Sequence, residues 1–535
     1  MIIQILFLVA FFALMISVGF YYRKKASSVE GFVLGSRGAG PWLTAFAFGT
    51  SYFSAVIFVG YAGQFGWNFG ISSTWIGLGN AFIGSLLPWI ILGRRTRIMT
   101  NHLSSKTMPE FFESRYDSKP LKLISAVIVF VFLIPYTASL YNGLSRLFSM
   151  AFPGINYTVC IVIMSLLTCV YVLLGGYMAT AMNDFIQGVF MLGGIVAVIA
   201  AVLNRNGGFS ESVAKLAETS GWEYTSFFGP DALFLFFVVV LTSLGTWGLP
   251  QMVGKFYAIK DEDSIKKGTV ISSIFAVVVA GGCYFLGGFS RLFAQADAAT
   301  GKPMLDGSVV SYDQLVPAML ENLGPVIIGI VLVLVLSASM STLSSLVLTS
   351  GSTVTLDLIA PLRKKEIGEK GKIVIMRLLI VCFVILSAVI AIYQVNAQSG
   401  SSVTFIANLM GVSWGALAGA FIGPFLWGLY FKKTTRASVY FSFIVGVSMS
   451  LIQLIKSLSG FAFNVPFLDG VVFKTSIHSG AFAMAISLVF VPLISLITKK
   501  LPEKRVEEIF SCYKKTVTVK ATDVLKLEEQ EEQEQ

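Results

Sequence analysis

Charge is what this chain has least of. Of its 535 residues only 13% are Asp, Glu, Lys or Arg, against 55% hydrophobic ones. With a mean hydropathy of +0.78, that balance excludes a soluble globular domain. Cysteine and histidine are scarce as well. Cys160, Cys169, Cys283, Cys382 and Cys512 have no CxxC spacing, which argues against a disulfide framework or a metal cluster. His102 and His478 fall near predicted helix ends beside no nucleophile or ligand, so they read as loop or interface residues. Nothing in the sequence suggests an enzyme or an organic cofactor.

What fills the chain instead is long apolar runs. About 20 such residues span a bilayer as a helix, whereas closed barrels give short alternating segments. The runs predict an all-α polytopic membrane protein of about thirteen helices, over 1–22, 41–66, 74–97, 122–150, 156–178, 183–204, 231–256, 267–293, 324–358, 372–394, 401–431, 436–458 and 475–498. Basic residues test that count. They cluster in alternate loops, as in Arg23–Lys25, Arg94–Arg97, Lys255–Lys267, Arg363–Lys372 and Lys432–Arg436. This parity predicts an N-terminus outside, a C-terminus in the cytoplasm and a multi-pass protein of the cell membrane. The formal net charge of +10 is then a topology signal, with no nucleic-acid partner and no obligate protein partner implied. The first run starts at Met1 without a basic leader and ends in YYRKK, so it reads as a retained anchor. The acidic EEQEEQEQ end reads as solvated tail.

A helix bundle in lipid shows its function where its helices break, because unpaired backbone is tolerated only beside a cavity or site. Two segments carry such a signal. AFAFGTSYFSAVIFVGYAG puts Gly49, Thr50 and Ser51 in mid-membrane, and LTSLGTWGLPQMVGKF brings Gly245, Gly248 and Pro250 together. They lie five spans apart, as the first members of two inverted repeats would. Close helix packing through glycine is the other reading.

Ser337 to Asp357, SASMSTLSSLVLTSGSTVTLD, places hydroxyls throughout an apolar helix. The Ala338 carbonyl and the hydroxyls of Ser341 and Thr342, at i+3 and i+4, can converge on one point. Hard cations want such a cluster, and carbonyls at the first break, from Thr50 and Phe53, would complete the shell. Serines that bond back to the carbonyl at i−4, or that join helices, are the alternative. Asp357, at the helix end, suits a gate or loop contact better than a cation site.

The same stretch resembles the ninth-helix signature of the sodium:solute symporter family, which includes the sodium/proline and sodium/sugar carriers. EGFVLGSRGAGPW, MPEFFESRY, GGYMATAMNDFIQG, LPQMVGKFYA and GALAGAFIGPFLWGLYFKKTT match in the same order along most of the chain. The resemblance implies a LeuT-like core of two five-helix inverted repeats with one helix before and two after. Its expected divisions are 1–40 (first helix and loop), 41–204 (first repeat), 205–230 (outer loop), 231–431 (second repeat), 432–499 (two accessory helices) and 500–535 (tail). It implies sodium as the coupling ion, held by backbone oxygens of Thr50, Phe53 and Ala338 and the hydroxyls of Ser341 and Thr342. In some members, sialic acid carriers included, a second sodium site would match Asp184, Ser344 and Ser345, sharing Ser341. Asp184 could alternatively cap a helix starting at Asn183.

The solute is less legible. Tyr136 and Ser54 match pocket residues of the proline carriers, and Pro250 is retained. Thr242 and Thr246 stand where aromatic residues are expected, with Trp247 one place later, and Tyr52 replaces an aspartate. The fourth span, FLIPYTASLYN, lacks the arginine that a sialic acid would need. The expected activity is sodium-coupled import of a small neutral or zwitterionic solute, first of all proline or a similar amino acid. A sugar, vitamin or monocarboxylate would use the same mechanism, and a membrane sensor or passive channel are the readings of other classes.

Overall fold

The computed structural model describes residues 2–152, 154–321, 323–363, 366–397 and 405–514. Helix occupies part or all of every predicted span, although residues 401–404 of the eleventh span and 515–535 of the tail lie outside the described residues. Ten of these helices are long and apolar enough to cross a membrane, or eleven when the bent pair Ala232–Gly248 and Pro250–Ala258 forms one span. The thirteen expected crossings are therefore not all reached by this measure. Backbone continuity and short pieces explain the difference. Val56–His102 is one 47-residue helical run across two expected spans, turning through the 3-10 segment Gly70–Ser73. Pro41–Tyr52 has only 12 residues before its break. Tyr157–Arg205 continues through a kink at Gly176, φ 55° and ψ −151°. A small antiparallel sheet of Gln295–Ala296, Pro303–Leu305 and Ser308–Val309 lies in the loop before Pro325.

The hydroxyl-rich helix Pro325–Thr353 runs through the centre, and every residue from Val331 to Leu348 is buried. A helix apolar all round has no solvent face to offer, so it is enclosed by neighbours. Some of its hydroxyls do bond back along the helix: Ser339 Oγ donates to the Val335 carbonyl at 2.8 Å and Ser352 Oγ to that of Leu348 at 2.7 Å. Ser341 and Thr342 do not stop there.

Proline inside a span removes an N–H and strands the carbonyl four residues before it. The structure supplies side-chain donors for two of these. Pro424 frees the Ala420 carbonyl, which accepts from Ser442 Oγ at 2.7 Å. Pro492 frees that of Leu488, which accepts from Trp427 Nε1 at 2.8 Å. Trp427→Phe is expected to leave the Leu488 carbonyl unpartnered and cost about 1–3 kcal/mol. The melting temperature in detergent should fall accordingly, while Trp75→Phe, whose indole bonds Phe227 at the exposed surface, should change it little.

The MPEFFESRY motif closes the end of another span. Thr107 caps the short helix Met108–Tyr116, which points buried Arg115 at the C-terminus of Phe405–Tyr430. There Nε donates to the Gly428 carbonyl at 2.8 Å and Nη2 to that of Phe431 at 3.1 Å. A cation among helix-end carbonyls is well placed electrostatically. Phe510, from Glu503–Phe510, covers the guanidinium 5.0 Å from its ring centre, and Tyr513 lies over Arg95 at 4.7 Å. Trp67 and Trp89 are buried, while Trp42 and Trp75 face outward. His478 stacks on Phe234, and His102 meets the Glu508 carbonyl at 3.2 Å.

Candidate functional site

Both predicted breaks are present. The first ladder stops where the Phe53 N–H donates to the Gly49 carbonyl at 3.1 Å, and it resumes with Phe58 N–H to Ser54. Phe53 itself is extended, φ −101° and ψ 100°, so carbonyls around Thr50 to Phe53 leave the helical ladder. Gly49 permits close approach at this point, since a Cβ there would come 2.5 Å from the Phe275 ring. The second helix bends by 45° between Gly248 and Pro250, with Leu249 extended at ψ 122°.

The freed Thr50 carbonyl faces the central helix. It accepts from Ser341 Oγ at 3.0 Å and from Thr342 Oγ1 at 3.3 Å, and both hydroxyls also reach the Ala338 carbonyl at 3.1 Å. Four of the five expected sodium-site oxygens thus share one buried spot, and the fifth donor, Phe53, ends the same broken turn. Two carbonyls and two hydroxyls, with no carboxylate among them, form the weak-field oxygen set that a hard monovalent cation accepts.

The second expected cation site is assembled differently. Asp184 is buried two turns inside the helix after Gly176, so it caps nothing, and the capping alternative falls away. Its Oδ2 lies 3.5 Å from the Nζ of Lys255, which donates to Ser345 Oγ at 2.9 Å. Ser345 Oγ in turn meets Ser51 Oγ at 2.8 Å. Ser344 turns away to donate to the Ser341 carbonyl at 2.9 Å. Lys255 had passed as a loop cation in the sequence, although its place one turn after Pro250 in LPQMVGKF put it on the broken helix.

The expected solute residues divide into three groups. Ser54 Oγ and Trp414 Nε1 are buried against the Tyr136 hydroxyl, and the three make no other hydrogen bond; the Trp414 ring packs edge-on against Tyr136 with centroids 6.0 Å apart. Tyr52 stacks on Phe53 at 4.3 Å and turns its hydroxyl to the Thr242 carbonyl at 2.6 Å, tying one break to the other. Thr242 and Thr246 spend their hydroxyls on backbone, the latter on Gly84 at 2.8 Å, and Trp247 Nε1 donates to Ile83 at 2.9 Å. These three therefore pack rather than present free donors. Pro250 lines a separate cavity of about 50 Å³ with Lys255, Ser345, Tyr177 and Thr107, toward the face bearing the basic loops. Trp414 was missed in the sequence, where the available signal was an indole beside a run of Gly and Ala. Gly245 makes room for it, because a Cβ there would lie 2.5 Å from the ring.

Asp357 is fully buried, with Lys122 3.6 Å away, and Lys122 also pairs with Glu113 at 2.8 Å. The cluster ties the end of the central helix to Lys119–Ala151, apart from the oxygens at Thr50.

A membrane-spanning bundle with two broken helices beside a buried oxygen cluster is the architecture of a secondary transporter. Residues 32–446 match the sodium:solute symporter family, and the chain belongs to it. It is 26% identical over 510 residues to the osmoregulated proline transporter OpuE of Bacillus subtilis (strain 168), covering 94% of this chain and 96% of that one. A sodium/proline symporter of Staphylococcus aureus (strain NCTC 8325 / PS 47) is 29% identical over 456 residues, covering 83% and 84%. The fold is that of a solved Na+-coupled sialic acid symporter, with a TM-score of 0.74 at 18% identity over 94% of this chain and 99% of the other. The protein is a multi-pass, sodium-coupled solute symporter and not an enzyme.

Proposed function

We propose that the chain imports proline, or a small amino acid of similar shape, across the cell membrane with sodium, its N-terminus outside and its C-terminus in the cytoplasm. The observation that carries this reading is the buried set Ser54 Oγ, Tyr136 OH and Trp414 Nε1, which meet at the Tyr136 hydroxyl and bond to no other group, beside the break that carries Thr50 and Phe53. Buried donors that meet only one another, in apolar surroundings and short of full hydrogen bonds, define a place for a ligand's acceptors. A carboxylate is the acceptor that suits hydroxyl and indole donors. The neighbouring rings of Tyr52 and Trp414 suit a compact apolar ring such as that of proline. Thr50, Phe53, Ala338, Ser341 and Thr342 would hold the coupling sodium. Both proline-transporting relatives favour the same solute.

Coupling then follows from shared structure. Sodium bridging Pro41–Tyr52 and Pro325–Thr353 would fix the broken turn that also carries Ser54, so ion and solute each raise the other's affinity. A membrane potential of ~100 mV supplies about 2.3 kcal/mol per charge and a tenfold sodium gradient about 1.4, enough for roughly five-hundredfold accumulation with one ion.

The test is thermal stability of the purified protein in sodium or potassium salt, with proline, other amino acids, sugars and small carboxylates added in turn. A ligand at a hundred times its Kd stabilises by about 2.7 kcal/mol. Proline is expected to raise the melting temperature more in sodium than in potassium. A sodium-dependent shift with a sugar or monocarboxylate but not with proline would reassign the solute.

A further inference from the structure

We infer that the Lys255 ammonium is a built-in substitute for a second coupling sodium, so that this carrier moves one sodium ion per solute. The inference rests on the proposed main site at Thr50 and Thr342, and it starts from the misfit at Asp184. A buried carboxylate needs a compensating cation, and the chain supplies its own. Lys255 and Asp184 are 3% and 0% exposed, Nζ lies 3.5 Å from Oδ2, and Ser345 accepts from the same ammonium at 2.9 Å. Two of the four oxygens expected to bind a second sodium are thus engaged by a tethered cation. Of the others, Ser344 is spent on the Ser341 carbonyl at 2.9 Å and Ser341 is aimed at Thr50 at 3.0 Å.

Charge decides against both cations being present together. A sodium ion held by Asp184 and Ser345 would sit about 4 Å from Nζ, where like-charge repulsion at the effective dielectric of protein sites lowers affinity by roughly a thousandfold. The tether has a second consequence. Lys255 rides on Pro250–Ala258, beyond the bend at Leu249, and lines the cavity toward the basic-loop face. It is also wired to the main cation oxygens, because Ser345 meets Ser51 at 2.8 Å and the Ser51 carbonyl accepts from Thr342 Oγ1 at 3.4 Å. Where a second sodium would leave with each cycle, the ammonium stays and resets with its helix.

The experiment counts sodium bound by the purified full-length protein at pH 8, by isothermal titration with sodium chloride at constant ionic strength, alongside the Hill coefficient of sodium-activated uptake in proteoliposomes. The wild type should bind one ion with a Hill coefficient near 1. Lys255→Met should gain a second ion and a coefficient approaching 2, and adding Asp184→Asn to it should return both to one. Two ions in the wild type, or a folded Lys255→Met that still binds one, would overturn the inference. Should Lys255→Met not fold, Asp184→Asn alone decides, since its count must stay at one and a drop to zero refutes the substitution. Thr342→Ala separates the underlying reading: if the single wild-type ion survives that change with unaltered affinity, the main-site assignment fails instead.

Discussion

Replacing Thr342 by alanine should raise the sodium concentration for half-maximal uptake by roughly 10- to 150-fold, while leaving the amount of folded protein close to that of the wild type. The estimate follows from the loss of one polar contact to a charged group, worth about 1.5–3 kcal/mol. The hydroxyl removed is one of the two that reach both the Thr50 and Ala338 carbonyls. Its loss costs the folded state little, because Ser341 still bonds the same two carbonyls. Sodium has no such replacement and would lose a ligand from a set that includes no carboxylate. Sodium-dependent proline uptake at fixed ionic strength is the measurement. An unchanged sodium dependence with full expression would remove these residues from the ion site.

Gly66→Val is expected to abolish the folded protein. A Cβ at Gly66 would overlap the Gly287 carbonyl, and one at Gly287 would overlap that of Ala62, so helices Ala62–Phe69 and Gly282–Gly287 touch through their backbones. Overpacking a side chain costs about 1–3 kcal/mol because neighbours can turn aside. Here the obstacle is main chain in a helix, which can yield only by moving the helix. The total stability of a protein is about 5–15 kcal/mol. Size-exclusion profiles of the detergent extract should show the native peak gone. Gly193→Ala, where an added Cβ meets nothing within 4 Å, should keep the peak. A native profile for Gly66→Val would mean that the two helices do not pack this closely.

The parts of this architecture legible in the sequence were those with a local cause. Apolar runs gave the helices, glycine beside small polar residues gave the first break, and Gly245 to Pro250 gave the second. The i+3 and i+4 spacing after Ala338 brought together the oxygens that do converge. The continuous backbone through Gly176 was less legible, because a glycine with positive φ can bend a helix without ending it. That continuity is also why Asp184 lies inside a helix rather than at its start. Lys255 and Trp414 were lost for another reason. Each acquires its meaning from a partner far along the chain, Asp184 for the one and Tyr136 and Gly245 for the other, and no spacing rule encodes such a meeting. Thr242, Thr246 and Trp247 stood at the right break, but Thr242 bonds back along its own helix and the donors of Thr246 and Trp247 are satisfied by the neighbouring one, pairings that one-dimensional position does not reveal.

The seating of Phe510 over Arg115 and of Tyr513 over Arg95 has a practical bearing on handling the protein. An affinity tag or fluorescent reporter belongs after residue 514, where it leaves this lid in place. A fusion joined before Glu503 would strip the cover from a guanidinium that holds the end of a membrane helix, and a weak preparation made that way would be a fault of the join.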